Sequence, residues 1–305
     1  MTVLAGVSLA FLLLAVPAGA QPTGRAVPTG DLPFPAEELI RKVAFAQRRV
    51  DRSLTDYTFD QLEVRTVWGR DGRPKEIRRR LFHYFSGERP GEATRELVEV
   101  DGRPATEEER REQAEEDAKQ QRRADERNAD AMASRPPAIS AEGEEDDPLV
   151  GPRRLSDLIA RFDYRLEGEV EEEGRLLYVL EFSPKPGLSA ASLGDRALNA
   201  LAGRVLVDAS DFQIVSVEAR LVRPVKVGGG LAAAVKEATV SYRGSRLPQG
   251  IWFPSVIDLH LKGKTAVFFR LDTSFRFEFS GFASFSVETD SEVGDRQVPS
   301  VQSDR

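Results

Sequence analysis

The last apolar segment of the chain alternates between apolar and polar positions with a period of two. The apolar members stand at odd positions: Phe275, Phe277, Phe279, Gly281, Ala283, Phe285 and Val287. Arginine, glutamate and serine fill most of the even positions. This alternation is typical of a β-strand with one buried face. A face so rich in phenylalanine must be covered by helices, a ligand or another chain.

The first part of the chain shows a helical pattern followed by strand patterns. Residues 36–53 carry an apolar stripe with helical spacing, formed by Leu39, Val43, Ala46 and Val50, which predicts an amphipathic helix. Alternating segments at 57–68, 77–86 and 95–100 predict three strands, the first two joined as a hairpin at Asp71-Gly72.

The second part of the chain predicts two short helices and a succession of strands. The helices are expected at 155–162 and 189–202, and the strands at 164–171, 176–182, 204–209, 213–223, 236–242, 251–261 and from 265 onward. Tight turns are predicted at Ser210-Asp211, Gly244-Ser245 and Lys262-Gly263-Lys264. Strands joined by short turns form antiparallel sheets. The predicted class is therefore α+β, dominated by one curved antiparallel sheet with a few helices.

A charged segment at 101–152 interrupts this pattern. Thr106 and Glu109 have the spacing of a capping box, and from there to Ala133 the chain is almost entirely charged, Gln and Ala. A helix that is polar all round cannot pack into an apolar core, so we expect it to project into solvent or to bridge to another element. The acidic run from Glu142 to Asp147 predicts a disordered linker.

The N-terminus has the features of a secretory signal. Residues 1–20 contain no charged side chain and end in the small residues Ala18-Gly19-Ala20, which predicts cleavage after Ala20 and a periplasmic or secreted protein. The apolar run is shorter than the roughly 20 residues that span a bilayer, so no integral membrane span is expected after cleavage. Residues 21–35 are interpreted as a flexible leader, 36–288 as one folded domain and 289–305 as a disordered tail.

The composition excludes two classes of function. The chain has no cysteine, so an exported fold must be held by an ordinary core, and thiol catalysis is excluded. The net charge of −7 gives no basic surface of the kind that nucleic acid requires.

Several segments together resemble a known family. They are Leu201 to Asp208, Phe212 to Glu218, Pro224 to Lys226, Tyr242, Gln249 to Pro254 and the Phe-rich last strand. In combination they resemble exported bacterial proteins of the outer-membrane lipoprotein-carrier type (LolA/LolB-like), and are closest to the uncharacterised members of that superfamily. The resemblance implies a half-barrel of antiparallel strands wrapped over helices, with an apolar groove between them, and the charged segment at 101–152 as an insertion.

The resemblance also implies a site and a function. The positions that match the inner-face strands of the family are Phe269, Phe275, Phe277 and Phe279, together with Tyr242 and Trp252. The implied function is non-catalytic binding or carrying of a lipid or lipidated protein in the cell envelope. Simple packing against the covering helices is an open alternative for each of these aromatic residues.

Two other functions stay open at this stage. One is a periplasmic sensor or scaffold that binds an envelope partner through the helix at 106–133. The other is a hydrolase built on Asp258 and His260, which lie two residues apart on one strand face. No nucleophile is apparent nearby in the sequence, and His83 is interpreted as a hydrogen-bonded strand residue. No catalytic residue, metal or cofactor is therefore predicted.

Overall fold

One antiparallel sheet of twelve strands forms the body of the molecule. The computed structural model describes residues 36–53, 56–86, 93–133, 158–188, 193–227, 233–265 and 269–284. The helices are α1 (Ala36–Ser53), α2 (Glu107–Ala133) and α3 (Leu193–Leu198); the strands are β1 (Tyr57–Trp68), β2 (Pro74–Ser86), β3 (Ala93–Val100), β4 (Arg103–Pro104), β5 (Phe162–Glu172), β6 (Arg175–Pro184), β7 (Leu201–Asp208), β8 (Ile214–Leu221), β9 (Val225–Val227), β10 (Ala233–Arg246), β11 (Trp252–Thr265) and β12 (Phe269–Ser284).

The order of the strands joins the two ends of the chain. It runs β4-β3-β2-β1-β12-β11-β10-β8-β7-β6-β5, with β9 paired to β10 outside this path. β1 therefore lies against β12 in the middle of the sheet, in register over Gln61 and Phe279 and over Glu63 and Phe277. The predicted class, one large antiparallel sheet with few helices, is confirmed.

Helix α1 covers one face of the sheet, which we call the inner face. Its Leu39 and Val43 belong to the main hydrophobic cluster, together with side chains from β5 to β8 and from β10 to β12. The predicted helix bounds are confirmed. The buried stripe differs from the prediction at one turn, because Gln47 is buried where Ala46 was expected.

Two of the predicted turns are wrong, because the strands run through them. Gly244 and Ser245 lie within β10 and pair with β11, and Lys262 to Lys264 lie within β11 and pair with β10. The register shifts near both glycines. A Cβ on Gly263 would stand 2.0 Å from the carbonyl oxygen of Ala234, so this glycine permits close approach at a bulge rather than a reversal.

The apolar alternation of the last strand ends earlier than predicted. Gly281 has a φ of +67°, a left-handed conformation that favours glycine, and the pairing of β12 with β1 shifts register between Thr58 and Asp60. Beyond this bulge Phe282 packs against the main cluster. The predicted alternation had placed Phe282, an even-numbered position, on the polar face. Phe285 and Val287 lie outside the described residues.

The helix predicted at 189–202 is shorter in the structure. α3 ends at Leu198, and β7 already begins at Leu201. Leu201 is buried and pairs with Leu221 of β8. The apolar residues that suggested a continuing helix are thus divided between a short helix and the strand after it. The linker predicted at 142–147 and part of the helix predicted at 155–162 lie outside the described residues.

The charged helix α2 docks on the sheet by its first turns. The predicted capping box is formed: the Thr106 backbone N–H donates to Glu109 Oε2 at 2.9 Å, and the Glu109 N–H donates to Thr106 Oγ1 at 3.3 Å. Further along, Arg95 of β3 donates two hydrogen bonds to Asp117, at 2.9 and 2.6 Å. The first turns of α2, as far as Asp117, therefore pack on the sheet through charged groups.

Candidate functional site

A single row of side chains crosses the inner face from one half of the sheet to the other. Each member is the direct cross-strand partner of the next: Leu180, Val205, Val217, Tyr242, Ile257, Phe277, Glu63, Arg80 and Val100. We call this the central row. Six consecutive members are apolar or aromatic, and the row then becomes charged at β1 and β2.

An apolar cavity lies at the β5–β8 end of this row. Its volume is about 50 Å³. It is lined by Ile40, Val43, Leu158, Ile159, Phe162, Tyr164, Leu180, Phe182, Leu198, Leu201, Val205, Ile214 and Val217. Tyr164 supplies the only side-chain hydroxyl of that lining, and burial raises its pKa. The space suits hydrocarbon and offers nothing to hold a charge.

The cavity is small because α1 and the segment at Leu158-Ile159 pack closely over β5 to β8. Ile40 and Val43 of α1 project to its wall. Pockets that hold small molecules are typically roughly 300–1,000 Å³. A long apolar ligand would therefore enter only if α1 moved away from the sheet.

The aromatic residues predicted as a binding site lie on the strands next to the cavity. Phe277, Phe279 and Tyr242 are buried in the same main cluster, and Phe275 packs against it. None of the four is in the wall of the cavity. For Phe269 the structure gives the backbone pairing with Thr265. A role for these residues in ligand binding stays a prediction.

Trp252 lies at the rim of the sheet in a polar setting. Its indole Nε1 donates to Asp211 Oδ2 at 3.3 Å, and the Arg175 guanidinium stands 5.4 Å from the ring centre. Burial raises the pKa of Asp211 despite the hydrogen bonds it accepts from Gln213 and Trp252. Trp252 is therefore held by polar and charged neighbours, and its role in ligand binding also stays a prediction.

Most of the cavity wall was missed by sequence reasoning. The wall residues come from α1, α3 and β5 to β8, and from Leu158 and Ile159 before β5. On β7 and β8, Val205 and Val217 alternate with outward-facing neighbours. The alternation was visible in the sequence. What the sequence did not show was which strands α1 would leave incompletely covered.

The charged end of the central row is buried and lies beside β12. Glu63 and Gln61 are 2% and 0% exposed. Glu63 Oε1 pairs with the Arg80 guanidinium, and Arg80 Nη1 donates to Gln113 Oε1 of α2 at 2.8 Å. Among the described residues, Glu63 Oε2 and both polar atoms of the Gln61 amide have no hydrogen-bond partner.

The rest of this polar region holds α2 in place. Gln113 Nε2 donates to Asp117 Oδ1 at 2.9 Å, and Arg95 Nη1 donates to the Tyr84 hydroxyl at 3.4 Å. Burial works to lower the pKa of Arg95, but the bond to Asp117 outweighs it and the pKa is raised. Burial raises the pKa of Tyr84, against the opposing charge of Arg95. The inner face of β1 to β3 also carries a small apolar cluster, made of Phe82, Tyr84, Leu97, Val100 and Ala105. We call β1 to β3, where charged groups attach α2, the polar half of the inner face, and β5 to β8 with β10 to β12 the apolar half.

The Asp258/His260 pair expected for a hydrolase does not form. His260 Nε2 lies 2.8 Å from Asp272 Oδ1, and Asp258 instead accepts hydrogen bonds from Arg276 at 3.1 and 3.3 Å. The two side chains share the outer face, but each has a nearer partner on β12. Burial raises the pKa of Asp258 despite Arg276. In Asp272 burial acts in the same direction, but His260 and Arg270 outweigh it and the pKa is lowered.

The other histidine is paired on the strand, as interpreted from the sequence. His83 Nδ1 lies 2.7 Å from Asp60 Oδ1, and its ring stacks near Phe85 with centres 6.2 Å apart. In the part of the chain that the structure describes, no group of three or more His, Asp or Glu side chains is arranged to bind a metal ion.

Several solved structures are similar to this chain. A protein of the DUF1329 family from Desulfovibrio piger is 15% identical, covers 85% of this chain and 94% of its own, and has a TM-score of 0.38. A domain from Vibrio parahaemolyticus described as an outer membrane lipoprotein-sorting protein is 11% identical, with 86% and 97% covered and a TM-score of 0.35. A LolA superfamily protein from Nitrosomonas europaea is 11% identical, with 83% and 95% covered and a TM-score of 0.29.

The descriptions of the Vibrio parahaemolyticus and Nitrosomonas europaea proteins name the lipoprotein-sorting type that the sequence resemblance also named. No protein-family model matches the chain, and neither does any curated protein. Among the described residues, no helix has the length and apolar character needed to cross a membrane. The signal sequence predicted at 1–20 lies outside those residues.

Proposed function

We propose that this protein is exported to the cell envelope and binds a long acyl chain, of a lipid or a lipidated protein, on its inner face without catalysing a reaction. The observation that carries the proposal is the cavity of about 50 Å³ whose wall is hydrophobic throughout except for Tyr164. An acyl chain needs only such a surface, because each buried CH₂ contributes about 0.8 kcal/mol.

The central row provides an apolar path along which an acyl chain can extend beyond the small cavity. From Val217 on β8 to Phe277 on β12 every member is apolar or aromatic. Tyr242 and Phe277 belong to the aromatic set predicted from the sequence, so an acyl chain that follows the row contacts them. Phe275 and Phe279 flank Phe277 on the same face of β12.

Binding requires α1 to act as a displaceable cover. Ile40 and Val43 occupy space over the sheet that the chain of a ligand would take. An acyl chain replaces these contacts with equivalent apolar contacts, so the exchange leaves few buried groups unsatisfied.

The two other functions have less support. The described turns of α2 direct Gln113 and Asp117 toward the sheet, so these groups are engaged within the chain and no described contact favours a partner-binding arm. A hydrolase would need Asp258 paired with His260, but His260 pairs with Asp272 and Asp258 pairs with Arg276.

Native mass spectrometry of the delipidated protein with single-chain lipids tests the proposal. Val217→Phe places a ring in the cavity wall, and we expect it to reduce the bound fraction at least about tenfold. Val222→Phe makes the same change at a side chain that is 53% exposed, and it should bind like the unaltered protein. A protein that binds no acyl lipid, or a Val217→Phe variant that binds unchanged, would overturn the proposal.

A further inference from the structure

The polar end of the central row contains hydrogen-bonding groups that the fold does not use. Gln61 is fully buried, and neither the amide nitrogen nor the amide oxygen of its side chain has a hydrogen-bond partner among the described residues. Glu63, two residues along the same face, keeps its Oε2 unpartnered while Oε1 pairs with Arg80. Buried polar groups are normally hydrogen-bonded, so these three atoms are expected to have hydrogen-bond partners supplied from outside the chain.

Their position connects them to the proposed acyl site. Gln61 is the cross-strand partner of Phe279, and Glu63 is the partner of Phe277. Four strand-to-strand steps separate Glu63 from Val217 in the cavity wall, about 19 Å at the usual spacing of strands. An extended long-chain acyl group spans that distance, so a chain with its tail in the cavity brings its head to Gln61 and Glu63.

We infer that Gln61 and Glu63 form a head-group site for an acyl ligand with a neutral, hydrogen-bonding head, such as the hydroxyl groups of an acylglycerol or the amide of an acyl amide. This inference rests on the proposed function. A head that both donates and accepts is required, because the three atoms include an N–H₂ donor and two acceptor oxygens.

The charges around the site select against an anionic head. The carboxylate of Glu63 would face the anion directly, while the nearest cation, Arg80, is already bound to Glu63 Oε1 and to Gln113. A ligand that ends in plain hydrocarbon is also disfavoured, because it would leave the buried amide of Gln61 without a hydrogen-bond partner. A neutral hydroxyl or amide head avoids both costs.

The test compares three ligands with the same chain: 1-monopalmitoylglycerol, palmitamide and palmitate. Their affinities for the delipidated protein are measured by competition with a fluorescent acyl probe. We expect the two neutral ligands to bind at least about tenfold more tightly than palmitate, and Gln61→Met to remove that preference. Because the variant no longer buries an unsatisfied amide, its melting temperature should be unchanged or higher.

A control variant and the remaining outcomes complete the test. Thr273→Val removes a buried hydroxyl on β12 at a position that pairs with Val67 rather than with Gln61, and it should keep the head-group preference. Gln61→Leu is measured in parallel with Gln61→Met as a second variant without the amide. Equal binding of all three ligands by the unaltered protein, or a preference that survives both Gln61 variants, would mean that water satisfies the site and would overturn this inference alone. Failure of every ligand to bind would overturn the proposed function instead.

Discussion

The apolar and polar halves of the inner face are covered by different means. Over β5 to β8 and β10 to β12, α1 packs Leu39 and Val43 onto aliphatic and aromatic side chains. Over β1 to β3, α2 is attached through Arg95 and Asp117, and through Gln113 to Arg80. Both covers lie on the same face of one continuous sheet.

The difference shows what each cover can do. An apolar cover is held by contacts without direction, so an acyl chain of similar character can replace it. A cover held by charge-assisted hydrogen bonds has fixed geometry, and separating it leaves buried charges without partners. We therefore expect α1 to be the element that moves and α2 to be the element that stays.

The largest effect is expected from a charge placed in the apolar half. Ile257→Asp puts a carboxylate at a side chain that is 1% exposed in the central row. We expect a loss of more than about 5 kcal/mol in the free energy of unfolding, because a packed side chain is lost and an unpaired charge is buried. Urea unfolding measures it. Val98→Asp, at an exposed position, is the control, and similar losses in both would contradict the assignment of the two faces.

The polar half should respond differently to single and paired changes. Arg80→Met leaves Glu63 buried without its cation, and we expect a loss of about 3 kcal/mol. The double variant Glu63→Met/Arg80→Met should recover most of that loss, since no charge is then left alone. Unfolding of both singles and the double in a mutant cycle gives the coupling. A double variant as unstable as Arg80→Met would show that the pair is not the source of the effect.

The attachment of α2 can be tested separately from the core of the sheet. Asp117→Asn removes the charge that receives two hydrogen bonds from Arg95. We expect a loss of about 2 kcal/mol and faster amide hydrogen exchange in α2, with α1 unaffected. Exchange that rises equally in both helices would contradict the separate covers.

Alkaline pH should weaken the apolar half through Tyr242. Burial, with a smaller contribution from the charge of Asp51, raises the pKa of its phenol. A raised folded pKa gives stability that is complete below the unfolded pKa and is lost as pH rises. The loss should begin near pH 10 and reach about 1.4 kcal/mol for each further pH unit. Tyr242→Phe should lack this component, and identical alkaline unfolding of both proteins would contradict it.

The smallest effect is expected on the outer face at Asp272. His260 and Arg270 lower its pKa in spite of burial, so its contribution is present above the unfolded pKa of about 3.9 and is lost as pH falls through the folded value. Asp272→Asn should be less stable at pH 7 by up to about 1 kcal/mol and equal to the unaltered protein in acid. A difference that persists at the lowest pH would point to packing instead.

Much of the fold could be predicted because alternation and helical spacing are local signals. The bounds of α1 and β1 and the capping box at Thr106 agree with the sequence prediction. The turns predicted at Gly244 and Gly263 failed because a glycine that permits a bulge looks in sequence like one that permits a reversal.

The candidate site was harder to predict, since it depends on distant pairings. Phe277 was recognised as an inner-face residue, but its neighbour Glu63 lies more than two hundred positions away. Nothing local indicates that Glu63 and Arg80 continue the same row. Likewise, His260 found its partner in Asp272 on the next strand rather than in Asp258 on its own strand.

The most direct test of the central claim is to map where a bound acyl chain lies. A monoacylglycerol with a photoreactive diazirine near the end of its chain is cross-linked to the protein, and the labelled residues are identified by mass spectrometry. We predict labels on α1 around Ile40 and Val43 and on the β6–β8 strands around Val205 and Val217. Labels confined to the outer face, or spread evenly over the surface, would contradict an acyl site between α1 and the apolar half.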